Sequence, residues 1–337
     1  MPKKIYWVIA GLTMLVACSK EIMDQFGGFQ KPPNFPEPVY HFSTNGVTKE
    51  GFELGRKLFY EPRLSRNNTV SCGSCHIQSS AFTQHGHDVS HGIDDRLGTR
   101  NSPPIMNLAW MPTFFWDGGV FDLDLQPIVP ITNHVEMDET IPNVLAKLRA
   151  HPAYPELFRK AFGDTAINTT RMMKALSQFM LLCISANSKY DSVMRGQGAT
   201  FSPAEQRGYA LVQQHCSSCH KEPLFTDFSF RNNGIAIGLN DDKGRYAVTL
   251  QDTDRYKFKV PSLRNAAFTA PYMHDGRFIT LEAVLDHYRN HVQATPNLDP
   301  LLASGITITD AQQNDIIAFL KTLSDRSFLT NPLLAEQ

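Results

Sequence analysis

The chain has 337 residues, with 32 Lys and Arg against 33 Asp and Glu, a formal net charge of -1, and 42% hydrophobic residues. That length suggests two domains of ordinary size. The balanced charge excludes a general basic surface for nucleic acid, so no nucleic-acid partner is expected and electrostatics names no other.

In chain order, Lys3 and Lys4 precede an apolar run from Ile5 to Val16, which is too short to span a bilayer and has the layout of an export signal. Leu15-Val16-Ala17-Cys18 then resembles a bacterial lipobox. Residues 1–18 are therefore expected to be a lipoprotein signal peptide, with an ordinary signal peptide and an incidental cysteine as the alternative. Either way the chain leaves the cytoplasm; acylation of Cys18 would tether it to the periplasmic side of a bacterial membrane or the cell surface without spanning it. Residues 19–45, with Pro32-Pro33, Pro36, Pro38 and Gly27-Gly28, read as a flexible tether.

A helix is expected from Lys49 to Tyr60, with Phe52, Gly55, Leu58 and Phe59 on one side. It leads to Cys72-Gly73-Ser74-Cys75-His76, an arrangement that returns as Cys216-Ser217-Ser218-Cys219-His220. C-x-x-C-H is the attachment sequence of a c-type haem: each thiol forms a thioether with a vinyl group, and the histidine becomes the proximal iron ligand. Two covalent haem c groups are expected. A zinc site could use both cysteine pairs, and a redox dithiol one of them, but neither explains a histidine after each pair. Cys183, in an apolar run, reads as a small buried hydrophobe.

From His76 to Pro104 the chain reads as loop, with further histidines at His85, His87 and His91. Phe114-Phe115-Trp116-Asp117-Gly118-Gly119 is an aromatic cluster ending in a turn. Helices follow over Ile141 to Arg149 and Pro155 to Phe162, and another is capped by Asn168. Gly196 and Gly198 suggest a boundary within Asp191 to Thr200. Ser202-Pro203-Ala204-Glu205 is a capping box whose helix delivers Cys216, repeating the helix-then-haem order. A short strand is expected at Tyr246 to Leu250. Thr280 caps a helix carrying Leu281, Val284, Leu285 and Tyr288 on its apolar side, and Thr309 with Gln312 opens the last one. The fold expected is mainly α, with two cytochrome c-like domains, 46–195 and 196–330, each wrapped around one covalent haem.

From about Leu54 to Leu323 these residues resemble the bacterial dihaem cytochrome c peroxidase and MauG family. The resemblance is carried by Leu54-Gly55-Arg56-Lys57-Leu58-Phe59, Pro62-Arg63-Leu64-Ser65, both haem motifs, Arg100-Asn101-Ser102-Pro103, Phe115-Trp116-Asp117-Gly118, Gln126 with Glu136-Met137, and Thr269-Ala270-Pro271-Tyr272-Met273-His274-Asp275-Gly276. It implies that hydrogen peroxide reacts at the N-terminal haem, and that the C-terminal haem receives electrons from a small cytochrome c, a cupredoxin or a protein substrate. Gln126 and Glu136 match the family's distal pocket, where cleaving a peroxide requires a proton moved between its oxygens. Trp116 matches a tryptophan between the haems. Asn101, Thr269 and Pro271 match a calcium site built of amide and carbonyl oxygens. A homodimer is a further possibility that the family raises.

Two departures indicate the MauG-like subgroup. The distal histidine of peroxidases that need reductive activation falls at Ile93, with His91 two residues away, which points to an open first site unless the loop shifts. Fourteen residues after His274 stands Tyr288, matching the subgroup's axial tyrosine, with Met273, His287 or His291 as the other candidate ligands. Gly119 also stands where the family commonly has arginine. The resemblance thus implies a dihaem peroxidase, with MauG-like oxidation of a partner protein, or a non-catalytic dihaem electron carrier, as alternatives.

Overall fold

The computed structural model describes residues 26–337, so the expected signal peptide, Cys18 and residues 19–25 of the expected tether lie outside it. Local capping chemistry sets the helices. Helix α1 (Lys49–Phe59) begins where Thr48 accepts the Gly51 N–H at 3.0 Å. Helices α2 (Ile141–Ala150) and α3 (Tyr154–Phe162) have proline in their first turns, and Gly163 stops the latter with φ 92°. Asn168 caps α4 (Thr169–Leu181). Capping boxes open α5 (Lys189–Met194), α6 (Pro203–His215) and, further on, α8 (Asp310–Thr322). Between them α7 (Leu281–Asp286) runs directly into a π-turn at His287–His291. A short α9 (Arg326–Leu329) follows α8. The strands among the described residues are β1 (Phe230–Arg231) and β2 (Phe258–Lys259), antiparallel, with Phe230 opposite Lys259. The protein is mainly α.

Two hydrophobic clusters organise these helices. In the first, Phe52, Leu58 and Phe59 of α1 meet Phe179 of α4; in the second, Val212 of α6 meets Ile316 and Phe319 of α8. Both crossings depend on a glycine. A Cβ on Gly55 would lie 1.9 Å from the Ala175 carbonyl oxygen and 3.1 Å from Phe179 Cβ, while one on Gly208 would lie 1.9 Å from the Asp315 carbonyl oxygen and 2.9 Å from Phe319 Cβ. Each helix pair therefore touches backbone to backbone, and a phenylalanine four residues beyond the contact closes it. The two crossings share this device, although the sequence shows no long self-similarity. Gly55→Ala is expected to force α1 away from α4 and destabilise the fold by about 1–3 kcal/mol. Urea unfolding of the holoprotein measures this, and an unchanged midpoint would mean the crossing can open freely.

Two expectations are corrected. Residues 26–45 are not a tether. Phe35 is only 3% exposed, the Trp110 indole N–H donates to the Pro36 carbonyl at 2.8 Å, and Phe29 and Phe26 pack on Trp110 and Phe52. The aromatic residues of this stretch bring enough apolar surface to dock it, and its prolines and glycines shape a path over the core rather than free it. The strand expected at Tyr246 to Leu250 is instead one helical turn, Tyr246–Thr249. No neighbouring strand pairs with it; its amides bond locally, Thr249 to the Arg245 carbonyl, and Leu250 ends the turn at φ 55°.

The two clusters also exchange their ends. Tyr190 of α5 packs in the second cluster, whereas Phe328, Leu329 and Leu334 return to the first. There the Tyr60 hydroxyl donates to the Leu334 carbonyl at 2.9 Å, and Gln78 Nε2 donates to the carbonyls of Phe328 and Asn331. Between the clusters Arg264 and Asp191, both fully buried, form a two-pronged ion pair at 2.8 Å on each prong.

Candidate haem sites

Cys72–Cys75 form a single helical turn, and His76 follows as its cap. His76 Nδ1–H donates to the Phe82 carbonyl at 2.7 Å, which leaves Nε2 as the free lone pair. Burial pushes the imidazole pKa down, so the ring is held neutral, the form that ligates a metal. The second half repeats this, with His220 Nδ1–H donating to the Phe225 carbonyl at 3.1 Å and burial again lowering the pKa. Phe82 and Phe225 are both fully buried at positive φ, 59° and 53°, which aims each carbonyl at its histidine. Such a bond to the far ring nitrogen fixes tautomer and orientation in metal-ligating histidines. The sequence reading missed this pair, although each haem motif is followed within seven residues by Phe-Thr, at Phe82-Thr83 and Phe225-Thr226.

None of the four paired cysteines is in a disulfide. Among the described residues no three His, Cys, Asp or Glu side chains converge as a metal cage, so the shared zinc site has no geometry here. Cys183 is fully buried and burial raises its thiol pKa, as expected of a core residue.

Beside His76 lies a cavity of about 820 Å³, inside the range of roughly 300–1,000 Å³ usual for cofactor sites. Its wall brings together Cys75, His76, Trp116, Gln126, Glu136 and Asn101, with Lys259 and Pro261 reaching in from the second half. A cavity with a histidine whose Nε2 is free, a paired thiol and apolar surface from Ile105, Met106 and Phe114 fits a haem.

Burial pushes the Glu136 carboxyl pKa up, and a 2.8 Å hydrogen bond from Asn133 Nδ2 to Oε1 partly opposes the shift. Asn133 was another residue the sequence reading did not single out; it sits three before Glu136, at the end of the short helix Ile128–Thr132. The Ser90-x-Gly92 segment is clamped to the same backbone. Ile93 N–H donates to the Glu136 carbonyl at 2.7 Å, and a Cβ on Gly92 would meet the Val135 carbonyl oxygen at 2.0 Å. Ile93 is fully buried. His91 is not in the cavity wall: its ring lies 4.1 Å from that of His87, and Nδ1 is 3.7 Å from Asp95. His134 does reach the wall, but it is exposed.

Trp116 joins the two halves. Its indole N–H donates to the Asn101 carbonyl at 2.9 Å, and its own carbonyl accepts the Lys259 N–H at 2.7 Å. Nearby, Arg100 bonds Asp117 on one side and both carboxyl oxygens of Asp242 on the other.

At the second site, burial pushes the Tyr288 phenol pKa up, and a hydrogen bond from Asn233 partly opposes the shift. Asn233 Nδ2 makes long contacts to the Tyr288 hydroxyl, 3.5 Å, and Met273 Sδ, 3.4 Å. The other candidate ligands are engaged elsewhere: buried His287 donates through Nε2 to the Asn233 carbonyl at 3.0 Å, and exposed His291 is 3.1 Å from Asp286. Tyr288 and Met273 are thus the candidates that converge. For the calcium expectation, the Asn101 N–H donates to the His274 carbonyl at 2.7 Å, which sets Asn101 against the segment that carries Thr269 and Pro271. Asn101 Nδ2 is used on the Asp88 carbonyl, at 3.0 Å, so its amide oxygen is the atom a cation there would take.

Residues 49–199 match the family described as di-haem cytochrome c peroxidase. The chain is 36% identical to the methylamine utilization protein MauG of Methylorubrum extorquens, over 89% of this chain and 85% of that one. The chain belongs to the dihaem cytochrome c peroxidase family. Within that family it is also 31% identical to the cytochrome c551 peroxidase of Pseudomonas aeruginosa, over 92% of this chain and 88% of the relative. A solved structure described as a MauG-like protein associated with microbial copper homeostasis superposes with a TM-score of 0.84 at 32% identity, covering 92% of this chain and 99% of that one. Membership of this dihaem family implies two haem c groups, and both named activities, peroxidase and MauG, occur among its members.

Proposed function

We propose that the protein reduces hydrogen peroxide to water in the cavity beside His76, with two electrons and two protons consumed per peroxide. Bound haem would supply the iron at which peroxide is taken up and electrons are passed. His76 Nε2 holds that group from one side. On the wall, Glu136 takes the proton from one peroxide oxygen and returns it to the other, and Asn133 keeps the carboxyl aimed. Gln126 would orient the peroxide, and Ile93, standing where a ligating histidine would otherwise be, offers no ligating atom. Electrons arrive from a small cytochrome c or cupredoxin through the second site and Trp116. The observation that carries this reading is a half-buried carboxyl of raised pKa in the same cavity as a neutral, oriented histidine. A pure electron carrier has no use for such a group. Steady-state peroxide assays on the fully oxidised holoprotein test it: turnover without a preceding one-electron reduction is expected, and complete inactivity until an electron is added would overturn the open site.

Tyr288 favours a second reading, oxidation of a partner protein as in MauG, because a phenolate ligand stabilises oxidised iron. Tyr288→Phe is expected to raise the second haem's midpoint potential and change its electron paramagnetic resonance signature. An unchanged signature would assign ligation to Met273. The partner-oxidation reading is checked by peroxide-dependent mass change in a co-purified protein.

We further read Asn101, Thr269 and Pro271 as a calcium site, and the cell envelope as the location, with Cys18 as lipid anchor. No helix among the described residues is long and apolar enough to cross a membrane.

A further inference from the structure

Lys259 is the one fully enclosed lysine among the described residues, 5% exposed, and it sits in β2 of the second half while lining the cavity of the first. Its Nζ donates to the Thr113 carbonyl. Among the described residues no carboxylate lies within ion-pair distance of it; the acid whose charge it feels, Asp117, is engaged by Arg100 at 2.5 Å. An ammonium has three donors, so two remain here without a protein acceptor. The Thr113 hydroxyl is also buried and has no hydrogen-bond partner. A buried cation without a counter-charge and an orphaned hydroxyl on the residue that holds it are each costly. Lys259 lines the cavity wall, and its uncompensated charge calls for an anionic acceptor that the polypeptide does not provide. Burial pushes the amine pKa down to about 7, which such an anion would reverse.

A haem carries two propionate carboxylates. We propose that Lys259 Nζ binds a propionate of the haem attached at Cys72 and Cys75, so that a residue of the second half positions the cofactor of the first. This rests on the haem reading above. Lys259 is a positioning residue: it neutralises a carboxylate at the edge of the cofactor and thereby raises the potential of the iron.

The test is a spectroelectrochemical titration of the holoprotein and its Lys259→Met and Lys259→Arg variants, with haem content measured alongside. Lys259→Met is expected to keep both haems and to shift the first haem's reduction equilibrium about tenfold toward the oxidised form, about 59 mV for one electron. The second haem should move less, and Lys259→Arg should restore the parent value. A first haem that does not move, equal shifts in both variants, or a shift confined to the second haem would overturn the proposal. Should Lys259→Met fail to fold, Lys259→Gln is expected to move the same potential in the same direction, and no movement there would also overturn it. Colourless protein would remove the haem reading itself, whereas coloured protein with an unmoved potential removes only the lysine anchor.

Discussion

The Glu136→Gln variant is expected to reduce hydrogen peroxide about a hundredfold or more slowly than the parent, because the amide keeps the shape of the carboxyl but cannot move a proton. Asn133 Nδ2 can still donate to the carbonyl oxygen of the new side chain, as it does to Oε1 at 2.8 Å, so the cavity wall should hold its form. The pH profile supplies an independent readout. Burial raises the Glu136 pKa, and a base must be deprotonated to accept a proton, so the parent's rate should fall as pH drops through a pKa above the ordinary glutamate value. That acid limb should be missing from the variant's residual activity. Steady-state rates measured across pH decide the matter; an unchanged rate would remove the acid-base role, and a retained acid limb would assign it to another group.

The largest stability loss is expected at the join between the clusters. Asp191→Ala leaves the Arg264 guanidinium fully buried and without its partner, at a cost of about 3–5 kcal/mol. Arg264 cannot turn to water, since it is packed over the Phe35 ring at 4.8 Å and bonded to the Pro223 carbonyl at 2.8 Å. Removing both charges, as in Asp191→Leu with Arg264→Met, should recover much of the loss, because the desolvation penalty goes with the charges. Urea unfolding of the holoproteins, followed by circular dichroism, measures both. Burial pushes the Asp191 carboxyl pKa up, but its bonds to and charge from Arg264 outweigh that and hold it at about 2. A depressed carboxylate pKa stabilises the fold at pH values above the unfolded-state value and loses that contribution as pH falls toward about 2. The parent should therefore become acid-sensitive below about pH 4, and the variants should show less of that dependence. A single variant as stable as the parent would mean that the guanidinium finds water.

The covalent anchors were legible because C-x-x-C-H demands fixed residues at fixed spacing, and the helix starts because Thr48, Asn168, Ser202 and Thr309 are themselves the capping groups. What escaped the sequence is what depends on backbone atoms and distant pairing. The Phe82 and Phe225 carbonyls that orient the two histidines belong to residues whose side chains say only that they are buried. Asn133, Asn233 and Lys259 act on groups reached through the fold, and nothing in their local sequence marks them. The short segment at Tyr246 has β-branched neighbours and no strand partner, so local bonding wins and a turn forms. For residues 26–45, a reading by proline and glycine content looked past five aromatic side chains, Phe26, Phe29, Phe35, Tyr40 and Phe42, whose burial decides the outcome.

Residues 326–334, which lie over the first cluster, are synthesised only after the whole second half. The first unit thus lacks one wall until the end of the chain is in place, where it bonds Tyr60 and Gln78. Completion of the first unit is consequently tied to the end of the chain, and a polypeptide that stops before α9 leaves the first cluster unfinished.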